Sequence, residues 1–293
     1  MGSNILVTGA SGKVGSAVVR HLAGLGVAAR LGVRNLDLKN EIPEKMQPVA
    51  FDYEEPDLMR AALTDVNTLF LMTPPDNRQV DWATRAIDHA VDAGVERVVR
   101  LSVAAAPVVP GIQIGRWHRT VERYLMASGL DWTVIRPVPY MQNFLGLFPR
   151  RNGTEYYLPL GQGKVSYIDA EDVGAFCAWA LTHPEATDQT FTITGNDVLA
   201  AEVAIATINQ SARVKLRYTD ADKAVWRQEM LEKGMPEWFV GALSELFSVL
   251  ATGKVSAVSD TFKEKLGRDP ITFENFVQRN AKAFQAMQLS SAA

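Results

Sequence analysis

Asn4-Ile5-Leu6-Val7-Thr8-Gly9-Ala10-Ser11-Gly12-Lys13-Val14-Gly15 is the stretch that decides the fold. It opens as a short apolar run, as a strand buried on both faces requires. Glycines then follow at every third position, and Val14, Val18, Val19 and Leu22 recur on one helical face. In a strand–turn–helix setting each glycine has its own use. Gly9 permits the tight turn, Gly12 lets the backbone approach a pyrophosphate, and Gly15 lets the helix pack on the strand. Amides and dipole at the helix start favour an anion. Thr8, Gly9, Ser11, Gly12, Lys13, Val14 and Gly15 are therefore expected to hold the phosphates of a dinucleotide.

Outward from this stretch the alternation continues. Residues 28–33, 48–52, 68–72, 98–102 and 132–136 read as strands, and 14–22, 56–63, about 77–93 and about 117–128 as helices. Gly94 and Gly129 stand where helix C-caps belong. Strands separated by helices imply right-handed crossovers and a parallel sheet, and the glycine turn selects the doubly wound, Rossmann-type α/β fold. Past Pro137 the rhythm breaks. Residues 138–164 are rich in aromatics, proline and glycine. A strand and then a helix are expected over 165–181, a strand over 190–194, and helices over 199–210, 221–233, 236–252 and 270–287. The expected division is a dinucleotide-binding domain over 1–137, to which 165–195 return. A smaller, mainly helical C-terminal lobe takes 138–164 and 196–293. That lobe is expected near the C-terminal edge of the sheet, where ligands of such folds bind.

Composition narrows the function. Hydrophobic residues make up 47% of the 293, enough for a large core, and the net charge of −3 offers no basic face to nucleic acid. Arg97, Arg100, Arg150 and Arg151 stand among acidic residues and read as solvated surface. A single cysteine, Cys177, cannot form an internal disulfide, and its apolar surroundings make it a packing residue. No apolar run is long enough to cross a membrane, and a strand that starts near residue 4 leaves no room for a signal peptide, so a cytoplasmic monomer or homodimer is expected.

The end of the second strand addresses the cofactor. Arg34 follows Val33, where an acid would take a ribose hydroxyl and repel a 2′-phosphate. The planar fork of arginine pairs with phosphate instead, which predicts NADP(H). Asp37, three residues on, would blur that preference. Thr73 and Pro74 after the fourth strand, Ser102 and Val103 after the fifth, and Pro137 and Val138 after the sixth are expected against the cofactor, because such loops line the crevice.

Beyond the Gly-x-x-Gly-x-x-Gly turn and Arg34 stand Arg136-Pro137, Tyr140-Met141-Gln142-Asn143-Phe144, Val165-Ser166-Tyr167-Ile168-Asp169-Ala170-Glu171-Asp172-Val173 and Thr192-Ile193-Thr194-Gly195. With Gly234-Met235-Pro236-Glu237-Trp238-Phe239 and Gly253-Lys254, these motifs resemble the NmrA-like atypical short-chain dehydrogenase/reductases. The similarity runs most closely to their bacterial quinone reductase and triphenylmethane reductase branch. It implies an NAD(P)H-binding fold over nearly the whole chain and, in many members, reduction of quinones, imines or conjugated dyes. Other members bind the dinucleotide as redox sensors.

None of the seven tyrosines has a lysine four positions on, so the tyrosine–lysine pair of the ordinary short-chain dehydrogenases is missing. In the matching helix stand His118 and Glu122, one turn apart on one face, a His-x-x-x-Glu that resembles the triphenylmethane reductase-like branch. His118 is expected to give substrate a proton or a hydrogen bond, and Glu122 to orient the ring or face solvent. Tyr140 stands beside them as a further candidate. His21, His89 and His183 read as structural or solvated, and no ligand set has metal spacing. Hydride transfer to an apolar, conjugated acceptor needs little acid catalysis. Trp117, Tyr140, Met141, Phe144, Tyr167, Trp238 and Phe239 are expected to line a pocket for a flat substrate. The readings left open are an NADPH-dependent reductase of a conjugated small molecule, a non-catalytic NADP(H) sensor, and an isomerase or lyase with retained cofactor.

Overall fold

A computed structural model of the chain describes residues 4–36 and 42–289. The first half runs β1 (Ile5–Thr8), α1 (Lys13–Gly24), β2 (Ala29–Val33), β3 (Met46–Ala50), α2 (Pro56–Leu63) and β4 (Thr68–Leu71). Then come α3 (Gln79–Asp92), β5 (Arg97–Leu101), α4 (Gln113–Met126) and β6 (Asp131–Pro137). Three short strands follow, β7 (Arg150–Arg151), β8 (Glu155–Leu158) and β9 (Lys164–Ser166), then α5 (Ala170–Thr182) and β10 (Gln189–Ile193). The remainder is β11 (Val198–Ala200), α6 (Ala201–Ala212), β12 (Arg217–Asp220), α7 (Lys223–Glu232) and α8 (Glu237–Ala251). Three short helices close it, α9 (Thr261–Leu266), α10 (Phe273–Arg279) and α11 (Ala281–Leu289).

The chain forms two compact units. The first, residues 1–111, 115–137 and 170–192, holds a seven-stranded sheet in the order β10-β6-β5-β4-β1-β2-β3. β1 pairs in parallel with both β2 and β4, so the order reverses at β1 in the doubly wound manner. Ile5, Leu6 and Val7 are fully buried, as the apolar run predicts. Pro48 is tolerated in β3 because that strand is an edge and the missing donor faces no neighbour. Helix α1 buries Val14, Val18, Val19 and Leu22. It lies so close to α5 that a Cβ on Gly174 would stand 2.3 Å from Cβ of Ala17. On the other side Leu6, Met59, Leu63, Leu69, Trp82 and Ile87 join one apolar cluster.

Two arginines depart from expectation. Arg97 and Arg100 were expected on the surface, yet they are 8% and 0% exposed. β5 lies inside the sheet, so its polar side chains must find partners there. Arg97 donates to the Thr133 hydroxyl at 3.0 Å and the Ala180 carbonyl at 2.6 Å. Arg150 and Arg151 are half-buried, and Arg151 pairs with Glu229 across the face of Tyr157.

The second unit, residues 112–114, 138–169 and 193–293, carries a three-stranded sheet β12-β8-β7 and the pair β11-β9 under its helices. Phe144 sits at its centre, with the rings of Phe148, Tyr156, Tyr167 and Phe273 at 5.1, 5.9, 5.2 and 5.4 Å. Helix α8 turns Val240, Leu243, Phe247 and Leu250 into this cluster.

Several boundaries differ from the sequence reading. α4 begins at Gln113 rather than near residue 117, because Gly115 serves contact and not helix propensity: a Cβ there would stand 2.6 Å from the Ala105 carbonyl. The helix expected over 270–287 is two, separated at Asn280. α9 and the short strands β7, β8, β11 and β12 were not expected at all. Among the described residues no helix is long and apolar enough to cross a membrane.

Candidate functional site

The turn after β1 is built by its glycines. Thr8 ends the strand fully buried, with its hydroxyl donating to the Phe70 carbonyl at 2.8 Å and accepting the Met72 amide at 2.9 Å. This clamps the end of β1 to that of β4. Gly9 then turns with φ +63°, where a side chain is disfavoured and a Cβ would strike Met72 Cε at 2.4 Å. The Gly12 amide closes the turn on the Gly9 carbonyl at 2.9 Å. A Cβ on Gly15 would stand 2.0 Å from that same carbonyl, so only glycine lets α1 start here.

The residues present fit an anionic dinucleotide. Gly12 is the N-cap of α1 and has no side chain to cap it, and the first turn carries no acid. Helix geometry leaves the amides of Lys13, Val14 and Gly15 without intrahelical carbonyls, and the dipole adds partial positive charge. Ser11 is exposed at the tip of the turn. Arg34 is exposed one residue past β2, at the same sheet edge. Asp37 lies outside the described residues.

The other strand ends lie along this C-terminal edge of the parallel sheet. Thr73 is half-buried and Pro74 exposed after β4; Ser102 is buried and Val103 half-buried after β5; Pro137 closes β6 and is buried. Val138, in the second unit, is 5% exposed and donates its amide to the Ile193 carbonyl at 3.2 Å.

On α4 the paired candidates part company. Glu122 neither orients the imidazole nor faces solvent, which corrects the expectation. It is 2% exposed, accepts the Ser102 hydroxyl, and takes both Nε and Nη2 of Arg136 at 2.9 and 2.5 Å. The physical reason is charge: Arg136 leaves β6 only 17% exposed and needs a carboxylate. His118 is half-buried and turns Nδ1 toward Nη2 of Arg100 at 3.5 Å. Loss of hydration, and then the Arg100 guanidinium, hold its pKa well below the usual imidazole range. The ring is therefore neutral near pH 7, a hydrogen-bonding group rather than a ready acid. Arg100 and Arg136 are the residues the sequence reading missed as site groups. Both are cations inside otherwise apolar strand runs, and Arg136 also stands in the Arg136-Pro137 motif.

The aromatic set divides as well. Met141, Phe144 and Tyr167 were expected in a pocket; they are 0%, 0% and 1% exposed inside the aromatic core of the second unit, and that core accounts for them. Tyr140 is half-buried, beside a backbone bridge to Ile168. Trp238 and Phe239 are half-buried and meet edge to face at 5.4 Å. Trp117 is half-buried on α4. His21 lies 3.1 Å from Glu171 and His183 stacks on Trp179, so both are structural. Cys177 is fully buried, and burial pushes its thiol pKa up. Among the described residues no three His, Cys, Asp or Glu side chains come together as a metal set.

A reversed-order parallel sheet with a glycine cradle at the first helix defines a Rossmann-type dinucleotide-binding protein. The chain belongs to the NmrA-like family, which it matches over residues 1–277. It is 35% identical to the NAD(P)H azoreductase of Xenophilus azovorans over 285 residues, 96% of this chain and 99% of that one. Among solved structures it is similar to an NADPH-dependent quinone oxidoreductase of Escherichia coli in complex with NADPH, with a TM-score of 0.82 at 20% identity. That match covers 94% of this chain and 99% of the other. It is also similar to the Citrobacter sp. triphenylmethane reductase in complex with NADP(H), with a TM-score of 0.79, 20% identity, and 95% and 99% of the chains covered.

Proposed function

We propose that the chain is an NADPH-dependent reductase that delivers hydride to a conjugated, aromatic small molecule of the azo, quinone or iminium-dye class. The observation that carries the reading is the cradle at α1: Gly9 and Gly15 with Cβ positions denied by Met72 and by backbone, Gly12 at the N-cap with no side chain, first-turn amides without partners in the helix, and no acid in that turn. The NAD(P)H azoreductase that shares 35% of its residues supports the redox chemistry. Arg34 supports the phosphorylated cofactor, since its fork matches a 2′-phosphate. Bound in this cradle, the dinucleotide supplies a hydride from its nicotinamide ring.

The protein's own contribution is orientation. Thr8 fixes the floor of the cradle through β4, and Glu122 fixes Ser102 and Arg136 at the ends of β5 and β6. His118, neutral and half-buried one turn from Glu122, is the group that would give an acceptor atom a hydrogen bond. No tyrosine–lysine pair is present to move a hydroxyl proton, which favours acceptors whose reduction needs little acid catalysis. The test is oxidation of NADPH by the purified chain against azo dyes, quinones and triphenylmethane dyes. His118→Ala, which removes a positioned hydrogen-bond donor, should lower turnover by at least about 10-fold on the best acceptor. Unaltered kinetics would remove His118 from the site.

A further inference from the structure

Arg100 is held inside the sheet, paired in register with Leu71 of β4 and Val134 of β6, and its side chain is 0% exposed. A guanidinium so placed must have its donors directed. Nη1 donates to the Leu71 carbonyl at 3.0 Å and Nη2 to the Thr73 hydroxyl at 3.3 Å, both at the cofactor edge of the sheet. Nη2 also faces Nδ1 of His118 at 3.5 Å. A guanidinium carries donors and no acceptor. The imidazole atom turned toward it must therefore offer a lone pair, which leaves Nδ1 bare and puts the proton of the neutral ring on Nε2.

The surrounding charges act the same way. Protonating His118 would set two cations 3.5 Å apart in a site partly closed to water. From its own helix, Glu122 is one turn away, but its carboxylate is taken up by Arg136 of β6 and by Ser102 past β5. Tyr53, past β3, also feels the Arg100 charge and stays protonated, since burial raises its pKa to about 12.

We propose that Arg100 is a positioning residue that fixes His118 as the neutral Nε2–H tautomer, so that the site presents a hydrogen-bond donor and not an acid. The proposal rests on the reading of His118 as the group that meets substrate. In the two-electron reduction of a quinone or azo acceptor, NADPH supplies the hydride and water the proton that completes the product, whereas a cationic dye takes the hydride alone; in both cases His118 keeps its own proton.

The experiment is NMR of the full-length chain with ¹⁵N-labelled histidine, the His118 signals being assigned with His118→Gln. The expected result is a protonated Nε2 and a bare Nδ1 that persist as the pH falls through about 6.5, where an ordinary histidine would titrate. Arg100→Met should raise the His118 midpoint without restoring it to the ordinary value, because burial still opposes protonation, and should mix the tautomers. Arg100→Lys, which keeps the charge without the fork, should keep the midpoint low and lose the fixed tautomer. A wild-type His118 that titrates near 6.5, or that carries its proton on Nδ1, overturns the proposal. The wild-type spectrum decides this alone if the Arg100 variants do not fold. If the tautomer is fixed as stated while His118→Gln turns over normally, the assignment of His118 to substrate fails and the role of Arg100 stands.

Discussion

Glu122→Ala is the perturbation whose cost the structure defines best. The carboxylate is 2% exposed and accepts three hydrogen bonds, one from Ser102 and two from the guanidinium of Arg136. Its removal leaves a cation with only 17% exposure and no counter-charge from Glu122, together with a buried hydroxyl that must find another acceptor. Breaking a buried pair from one side costs about 3–5 kcal/mol, most of it the uncompensated charge. At roughly 2–3 °C of melting temperature per kcal/mol for a chain of this size, the loss is on the order of 10 °C. Urea denaturation and calorimetry of Glu122→Ala, Arg136→Met and the double variant would measure it. Glu122→Met with Arg136→Met should recover much of the loss, because no charge is then stranded, and the cycle should show coupling of about 1–3 kcal/mol. A Glu122→Ala protein within about 0.5 kcal/mol of wild type would refute the buried pair as described.

Further outcomes follow from the cradle and its surroundings. Gly15→Ala should yield little folded protein, since its Cβ would meet the Gly9 carbonyl at 2.0 Å, whereas Gly12→Val should fold and bind NADPH at least about 10-fold more weakly by calorimetry. Arg34→Glu should weaken NADPH binding about 10-fold or more and leave NADH nearly unchanged; equal wild-type affinities for the two cofactors would contradict the role given to Arg34. Cys177 should resist thiol reagents in the native protein and react only on unfolding, because it is fully buried with a raised thiol pKa. The folded state holds His118 below its unfolded pKa, so the unfolded chain binds the extra proton as pH falls through about 6.5. The stability contributed by neutral His118 is thus full above that pH and declines below it, and His118→Gln should flatten that part of a stability-against-pH curve.

The sheet was legible because its strands, buried on both faces, announce themselves as apolar runs and its turns as glycines. Residues 5–8 and 9–15 and the order of elements up to 137 carry that pattern openly. The second unit was legible as helices and, of its strands, only as β9. Its strands are two to four residues long, and Arg150–Arg151 and Arg217–Asp220 carry charges where a buried strand would carry valine. Arg97 and Arg100 were misplaced because composition treats a cation as surface, while a central strand can bury one if carbonyls and hydroxyls meet it. Met141, Phe144 and Tyr167 show a different limit. An aromatic pocket and an aromatic core draw on the same residue types, so periodicity does not separate them. Glu122 was placed on the correct helix face, but its partner comes from β6, fourteen residues away in sequence, and nothing local signals that pairing.

The central claim is that the cradle binds NADPH for hydride transfer. Its most direct measurement is a titration of the purified chain with NADPH and NADH, followed in the same preparation by stoichiometric dye reduction under single-turnover conditions. NADPH should bind more tightly than NADH, and one equivalent of bound NADPH should be oxidised for each two-electron reduction of an azo, quinone or triphenylmethane acceptor. Failure to bind NADPH, or tight binding with no oxidation by any of the three acceptor classes, would contradict it.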